Sequence, residues 1–209
     1  MPDGVALDAI ERCGILPVVV LDHAEDAAPL AEALMRGGVD CAEITLRTPA
    51  GLPAITSLRR LAGFTVGAGT VLTVADAKAC VDAGARFIVS PGLDRKVVVT
   101  GLDAGIDVIP GVATPTEISA GVAMGLSVLK CFPAEQLGGP AWIRAVRGPF
   151  PGVRFVPSGG VSADNAASYA GAGIAALGTS WIAPRELVSE HRFDEIEERA
   201  RKFREVMGR

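Results

Sequence analysis

The sequence predicts a single α/β domain, a (β/α)8 TIM barrel, and three observations carry that expectation. Short runs rich in Val and Ile alternate with Ala-rich segments of helical periodicity, the pattern of parallel strands joined by crossover helices. Several of the helical segments close on glycine, the usual C-terminal stop. Eight strand–helix units fit into 209 residues, about 26 each, close to the least that a strand, a helix and two short loops need. No Pro/Ser-rich linker divides the chain, so residues 1–209 read as one domain. A doubly wound open sheet shares this periodicity and stands as the alternative.

The first expected strand, residues 15–21, is followed by a helix at 26–36 that ends on Gly37-Gly38. Strands at 40–45 and 65–67 precede a helix at 74–83 stopped by Gly84. Strands at 87–90 and 107–110 lead into a helix at 116–124 stopped by Gly125. The last three strands are 127–132, 153–157 and 174–177. Most of these runs end at Gly, Pro, Ser or Thr, as strands leaving a sheet do. Beyond them Phe193, Ile196, Ala200, Phe203 and Met207 recur at helical spacing and predict an amphipathic terminal helix over 190–208. Its outer face offers Glu195/Arg199, Glu197/Arg201 and Glu198/Lys202 as i,i+4 pairs.

Composition narrows the function classes. A net charge of −4 lacks the basic excess of a nucleic-acid protein. A chain 49% hydrophobic but 5% aromatic has an aliphatic core and is not disordered. The uncharged residues 170–184 are too short and Gly-rich to span a bilayer. The first residues lack the basic and apolar regions of an export signal, so a cytoplasmic setting is expected. Cys13, Cys41, Cys80 and Cys131 lie far apart without a CxxC and read as reduced core residues.

Three clusters carry candidate chemistry. Lys130, one of only four lysines, ends the apolar run 125–129 and shares a strand face with Phe132. A lysine withdrawn from water holds its proton less tightly, and a free amine is what Schiff-base catalysis needs. The same residue also reads as a lysine whose head snorkels out at the strand's end. In Glu43-Ile44-Thr45-Leu46-Arg47 an extended chain projects carboxylate, hydroxyl and guanidinium from one face. That set suits an acid/base group and an anion clamp, or a structural ion pair. Third, Ser158-Gly159-Gly160 and Gly178-Thr179-Ser180 follow the seventh and eighth strands, where barrels hold phosphate on backbone N–H groups.

Other catalytic motifs are absent from the sequence. No GxxxxGK[ST], HExxH or GxSxG is present, and the GxGxxA match at 171–176 runs into a strand instead of leaving one. His23 and His191, the only histidines, are too few for a multi-histidine metal site.

Taken with Val66-Gly67-Ala68-Gly69-Thr70, Ser90-Pro91-Gly92, Ile109-Pro110-Gly111 and Leu129-Lys130-Cys131-Phe132-Pro133-Ala134-Glu135, these clusters form a collinear pattern. It resembles the class I 2-keto-3-deoxy-6-phosphogluconate (KDPG) aldolases, which also cleave 4-hydroxy-2-oxoglutarate (KHG). The resemblance implies a (β/α)8 barrel, a homotrimer, and a Lys–pyruvate Schiff base on the Entner–Doudoroff route. It implies no metal or other cofactor, a phosphorylated keto-acid substrate, and no nucleic-acid or membrane partner. Carried over by position, Lys130 is the Schiff-base lysine and Glu43 the general acid/base. Arg47 and Thr70 hold the pyruvate carboxylate, Pro91 and Phe132 line its apolar wall, and Gly159, Gly160 and Ser180 take the phosphate.

Two positions depart from the family pattern. Cys131 stands where an aromatic is frequent, but the strand pleat turns it from the pocket. Ser158 stands where threonine is usual near the substrate's C4 hydroxyl, keeping the hydroxyl and losing a methyl. Activity is expected to survive this, with the C4 stereopreference open. The rivals are a galactonate-type (KDPGal) aldolase, a phosphosugar isomerase or epimerase, and a non-catalytic phosphate-binding barrel.

Overall fold

Aliphatic runs become strands that are buried along nearly their whole length, as parallel strands covered on both faces must be. The structure, a computed structural model, describes residues 4–208. The strands are β1 (Ile15–Val19), β2 (Cys41–Thr45), β3 (Thr65–Gly69), β4 (Phe87–Val89), β5 (Asp107–Ile109), β6 (Gly111–Val112), β7 (Val128–Cys131), β8 (Arg154–Pro157) and β9 (Leu177–Thr179). The helices are α1 (Val5–Cys13), α2 (Ala27–Arg36), α3 (Gly51–Leu58), α4 (Val74–Ala83), α5 (Arg95–Asp103), α6 (Pro115–Ala123), α7 (Gly139–Arg147), α8 (Arg185–Ser189) and α9 (Phe193–Val206).

Short polar side chains set several helix starts. Thr73 and Thr114 accept the N–H groups of Asp76 and Glu117, whose carboxylates reach back to the cap backbone, a capping box at α4 and at α6. Asp94 caps α5 by accepting from Lys96 and Val97 N–H.

Every strand pair is parallel, in a six-stranded sheet ordered β5-β4-β3-β2-β1-β9 and a three-stranded sheet ordered β6-β7-β8. The sheets adjoin at Pro110, which has no N–H to give. The expected strand 107–110 stops one residue short as β5, and an unexpected further short strand, β6, follows Pro110, whose carbonyl accepts the Lys130 N–H at 2.9 Å. At the far side, lone parallel bridges join Phe155 to Ile174 and Ser158 to Gly178. The result is a single-domain α/β fold of parallel strands with helices between them, the coarser part of the fold read from the sequence.

Some boundaries need correction. The last strand is 177–179, not 174–177, because the stretch around Gly171 and Gly173 turns at positive φ and only Leu177 falls into register with Ile15 on β1. The terminal helix begins at Phe193, since His191 sits at φ 53° and separates it from α8. In α9, Ile196, Ala200 and Phe203 are buried and the helix packs on α2, so closely that a Cβ on Gly37 would stand 2.5 Å from that of Ala200. Two of the expected pairs form, Glu195–Arg199 at 2.8 Å and Glu197–Arg201, whereas Lys202 stands over the Trp181 ring. Among the described residues no helix is long and apolar enough to cross a membrane.

Candidate active site

The register of the parallel strands decides which side chains meet. Glu43 on β2 lies beside Gly67 on β3, and Lys130 on β7 lies between Gly111 and Val156. Both side chains point inward, so two residues distant in sequence approach across the interior. Lys130 Nζ stands 3.5 Å from Glu43 Oε1, with the two side chains 7% and 2% exposed. That oxygen has no hydrogen-bond partner, leaving it free to accept a proton. Gly69 makes the arrangement possible: a Cβ there would lie 2.0 Å from Glu43 Oε1.

Above this pair opens a cleft of about 140 Å³. Nine of the ten residues singled out from the sequence line it: Arg47, Thr70, Pro91, Lys130, Phe132, Ser158, Gly159, Gly160 and Ser180. The tenth, Glu43, lies beneath Lys130. Arg47, just past the end of β2, donates from Nε to Thr70 Oγ1 at 3.4 Å. Thr70 is held at φ 59°, a left-handed conformation rare for a β-branched residue and of the sort that gathers at functional sites. The Phe132 ring stands 5.3 Å from Lys130 Nζ and supplies an apolar, electron-rich wall.

Opposite Arg47 lies the glycine loop. Gly159 and Gly160 take φ of 97° and 80°, conformations that side chains rarely adopt. A Cβ on Gly160 would also strike Glu135 Cγ at 2.6 Å. Glu135 braces this loop, donating its N–H to the Gly159 carbonyl at 3.2 Å and accepting a hydrogen bond from the buried Tyr169 hydroxyl. On β9, Thr179 Oγ1 donates to the Val161 carbonyl at 2.7 Å and accepts the Trp181 N–H at 3.0 Å, which positions Ser180 between them. Arg199 fixes Trp181 from α9, donating to its carbonyl at 2.9 Å and lying 5.1 Å from its ring.

Two sequence readings take a definite form here. Thr45 shares the strand face of Glu43 but spends its hydroxyl on the Val19 carbonyl at 2.9 Å, so it is structural. Cys131 is fully buried away from the cleft, and burial pushes its thiol up to about 12. The reading from sequence did not pick out Val18, Val161, Gly178 and Thr179, which also line the cleft. Val18 and Val161 carry no chemical signal, and Gly178 and Thr179 lay inside a motif whose serine drew attention. The lining holds no His, Cys or carboxylate, with Glu43 the one carboxylate beneath it, a donor set poorly suited to a catalytic metal. An amine, a carboxylate, a cationic side chain and a loop of two glycines in one cleft suit an anionic carbonyl substrate.

Comparison with known proteins agrees with this chemistry. Residues 7–199 match the family described as "KDPG and KHG aldolase". The 2-dehydro-3-deoxy-phosphogluconate aldolase of Treponema pallidum is 42% identical over 96% of this chain and 97% of its own. The KHG/KDPG aldolase of Escherichia coli K12 is 38% identical, over 90% and 89% of the two chains. A crystal structure of the KDPG aldolase of Legionella pneumophila, with pyruvate captured at low pH as a covalent carbinolamine, superposes with a TM-score of 0.89. It is 38% identical and is matched over 94% of this chain and 96% of its own.

Proposed function

This chain belongs to the KDPG and KHG aldolase family, and from that premise we propose how its own residues carry the reaction. It is a metal-independent class I aldolase that cleaves KDPG to pyruvate and D-glyceraldehyde 3-phosphate, and KHG to pyruvate and glyoxylate. The observation that carries the residue assignment is the Lys130–Glu43 pair, 3.5 Å apart at the floor of a cleft whose two sides each suit an anion.

Lys130 as the neutral amine attacks the C2 ketone, and loss of water from the carbinolamine gives a protonated imine. The imine draws off the electron pair of the C3–C4 bond as it breaks. Glu43, through a water, takes the C4 hydroxyl proton while the aldehyde leaves, and a proton then returns to the enamine carbon. Hydrolysis frees pyruvate and restores the amine. Arg47 and Thr70 anchor the keto-acid carboxylate, and Pro91 and Phe132 confine the pyruvyl methyl. Gly159, Gly160 and Ser180 hold the phosphate, whose binding energy aligns the scissile bond.

Borohydride added with pyruvate tests the assignment. It should fix one pyruvyl mass on the peptide containing Lys130, and label elsewhere, or none, overturns it. Ser158 leaves a second reading open, because a serine lines the cleft where the family usually has threonine. A galactonate-type aldolase would cleave the C4 epimer of KDPG faster, and rates on the two epimers decide between them.

The strands close into a (β/α)8 barrel in this reading, with residues 1–209 as one domain. Its support is the single residue, Pro110, that joins β5 to β6 between the sheets, and the bridges from the β8 region to Ile174 and Gly178. The protein works in the cytoplasm as a homotrimer, the assembly its family resemblance implies. The exposed Leu72, Val99 and Val122 offer apolar surface for it.

A further inference from the structure

The four cysteines are all buried and free, but they are not alike. At Cys131 burial alone raises the thiol. Cys13, which ends α1, and Cys41, which opens β2, instead face each other beside Asp40. One sulfur from each and one carboxylate oxygen of Asp40 lie within 4.8 Å of one another, the one such trio of ligand residues among the described residues. The Cys41 thiol donates to the Ile15 carbonyl at 3.2 Å. Asp40 turns Oδ2 to Arg12 at 3.6 Å, while its Oδ1 is buried with no hydrogen-bond partner. An orphaned buried oxygen beside two thiols asks for an explanation that aliphatic packing does not give.

We infer that Cys13, Cys41 and Asp40 form a binding site for one soft divalent cation of the zinc class, with water in the fourth position. Three donors no more than 4.8 Å apart leave a point at most about 2.8 Å from all three. Zinc needs about 2.3 Å to sulfur and 2.0–2.2 Å to a carboxylate oxygen, so a contraction of several tenths of an ångström closes the site. Binding displaces one proton from each thiol. Two thiolates and a carboxylate, at a site where the Asp40 side chain is 39% exposed, then balance the charge of the divalent ion and the Arg12 guanidinium. Thiolate donors discriminate against magnesium and calcium.

The site stands apart from the catalytic cycle. Cys41 and Glu43 lie on the same face of β2, so the ion ties the end of α1 to the start of the strand that carries the acid/base group two residues on.

The test uses the full chain, reduced and stripped with a chelator, titrated with Cd²⁺. A thiolate-to-cadmium charge-transfer band in the ultraviolet should saturate at one ion per chain, and Zn²⁺ but not Mg²⁺ should remove it. Cys13→Ser and Cys41→Ser should each abolish the band, and Asp40→Asn should weaken binding at least tenfold. Cys80→Ser should leave it intact. No band, or one that survives Cys13→Ser, overturns the site, and an undiminished affinity in Asp40→Asn overturns the carboxylate's part. Circular dichroism establishes that each variant is folded, and Cys13→Ser decides the question if Cys41→Ser is not. Pyruvate labelling of Lys130 is a separate readout, so failure of the metal site leaves the aldolase assignment standing.

Discussion

Lys130 and Glu43 share one small interior space, and neither can change without exposing the other to an apolar surrounding. Breaking a buried ion pair from one side costs about 3–5 kcal/mol, because the remaining charge has no solvent to turn to. The proposed catalysis and the stability of the fold therefore meet in one contact. Glu43→Gln keeps the shape and removes the base, so kcat should fall by about 10²–10⁴ while borohydride still fixes pyruvate on Lys130. Intact turnover in this variant would show that the proton goes elsewhere. Gly69→Ala applies the same test sterically, since its methyl would press on Glu43 Oε1. Turnover should fall in Gly69→Ala far more than in an alanine substitution at Gly92, where an added Cβ meets nothing within 4 Å. Single residues of the site were legible in the sequence because each is odd in its setting: a lysine closing an apolar run, a glutamate heading a polar face. Their meeting was not legible, since no spacing rule connects positions 43 and 130, and neither was the approach of Cys13 to Cys41.

Helix starts show how local chemistry carries pH dependence. Glu117 in the α6 capping box is held below its usual value, first by the Ala113 N–H and then by the Thr114 hydroxyl and N–H, which outweigh partial burial. A carboxyl lowered on folding stabilises the protein fully above its unfolded value near 4.5, and that contribution is lost as pH falls through the lower folded value. Urea midpoints of the native chain and Glu117→Gln should differ at neutral pH and converge on acidification through this range. A constant gap would refute the linkage. The caps and the Val/Ile runs were readable because they act over three or four residues. Less readable were α5, where Val97, Val98 and Val99 favour strand by propensity yet form helix, and α3 and α7, which open on glycine. Tertiary packing overrides the local signal there. Beyond Pro110 the chain moves from pairing with β4 to pairing with β7 as β6, a detail that a pattern of apolar residues does not encode.

Across the whole molecule, the two ends of the strands carry different chemistry: the cleft proposed as the aldol site where they finish, and the Cys13–Asp40–Cys41 cluster where β2 begins. The glycine-rich loops at the catalytic end are short and tied to distant elements, Gly159 and Gly160 through Glu135 to Tyr169 and Ser180 through Trp181 to α9. Sedimentation should give three chains per particle, and a monomer that turns over at full rate would separate assembly from catalysis. The neighbour of Ser180 has one more consequence. Trp181 is an indole placed one residue from Ser180, the hydroxyl proposed to take the phosphate, and flanked by two cations, while Trp142, the other tryptophan, packs edge-on to Phe155. The molecule thus contains its own optical gauge. Inorganic phosphate alone should alter the emission, and Trp181→Phe should silence that response while Trp142→Phe preserves it. Phosphate that inhibits cleavage yet leaves the light unchanged would mean that the loop after β9 does not feel the ligand. If the signal is there, occupancy of the phosphate half of the site can be followed in real time, without a coupled assay and without any carbon–carbon bond being broken.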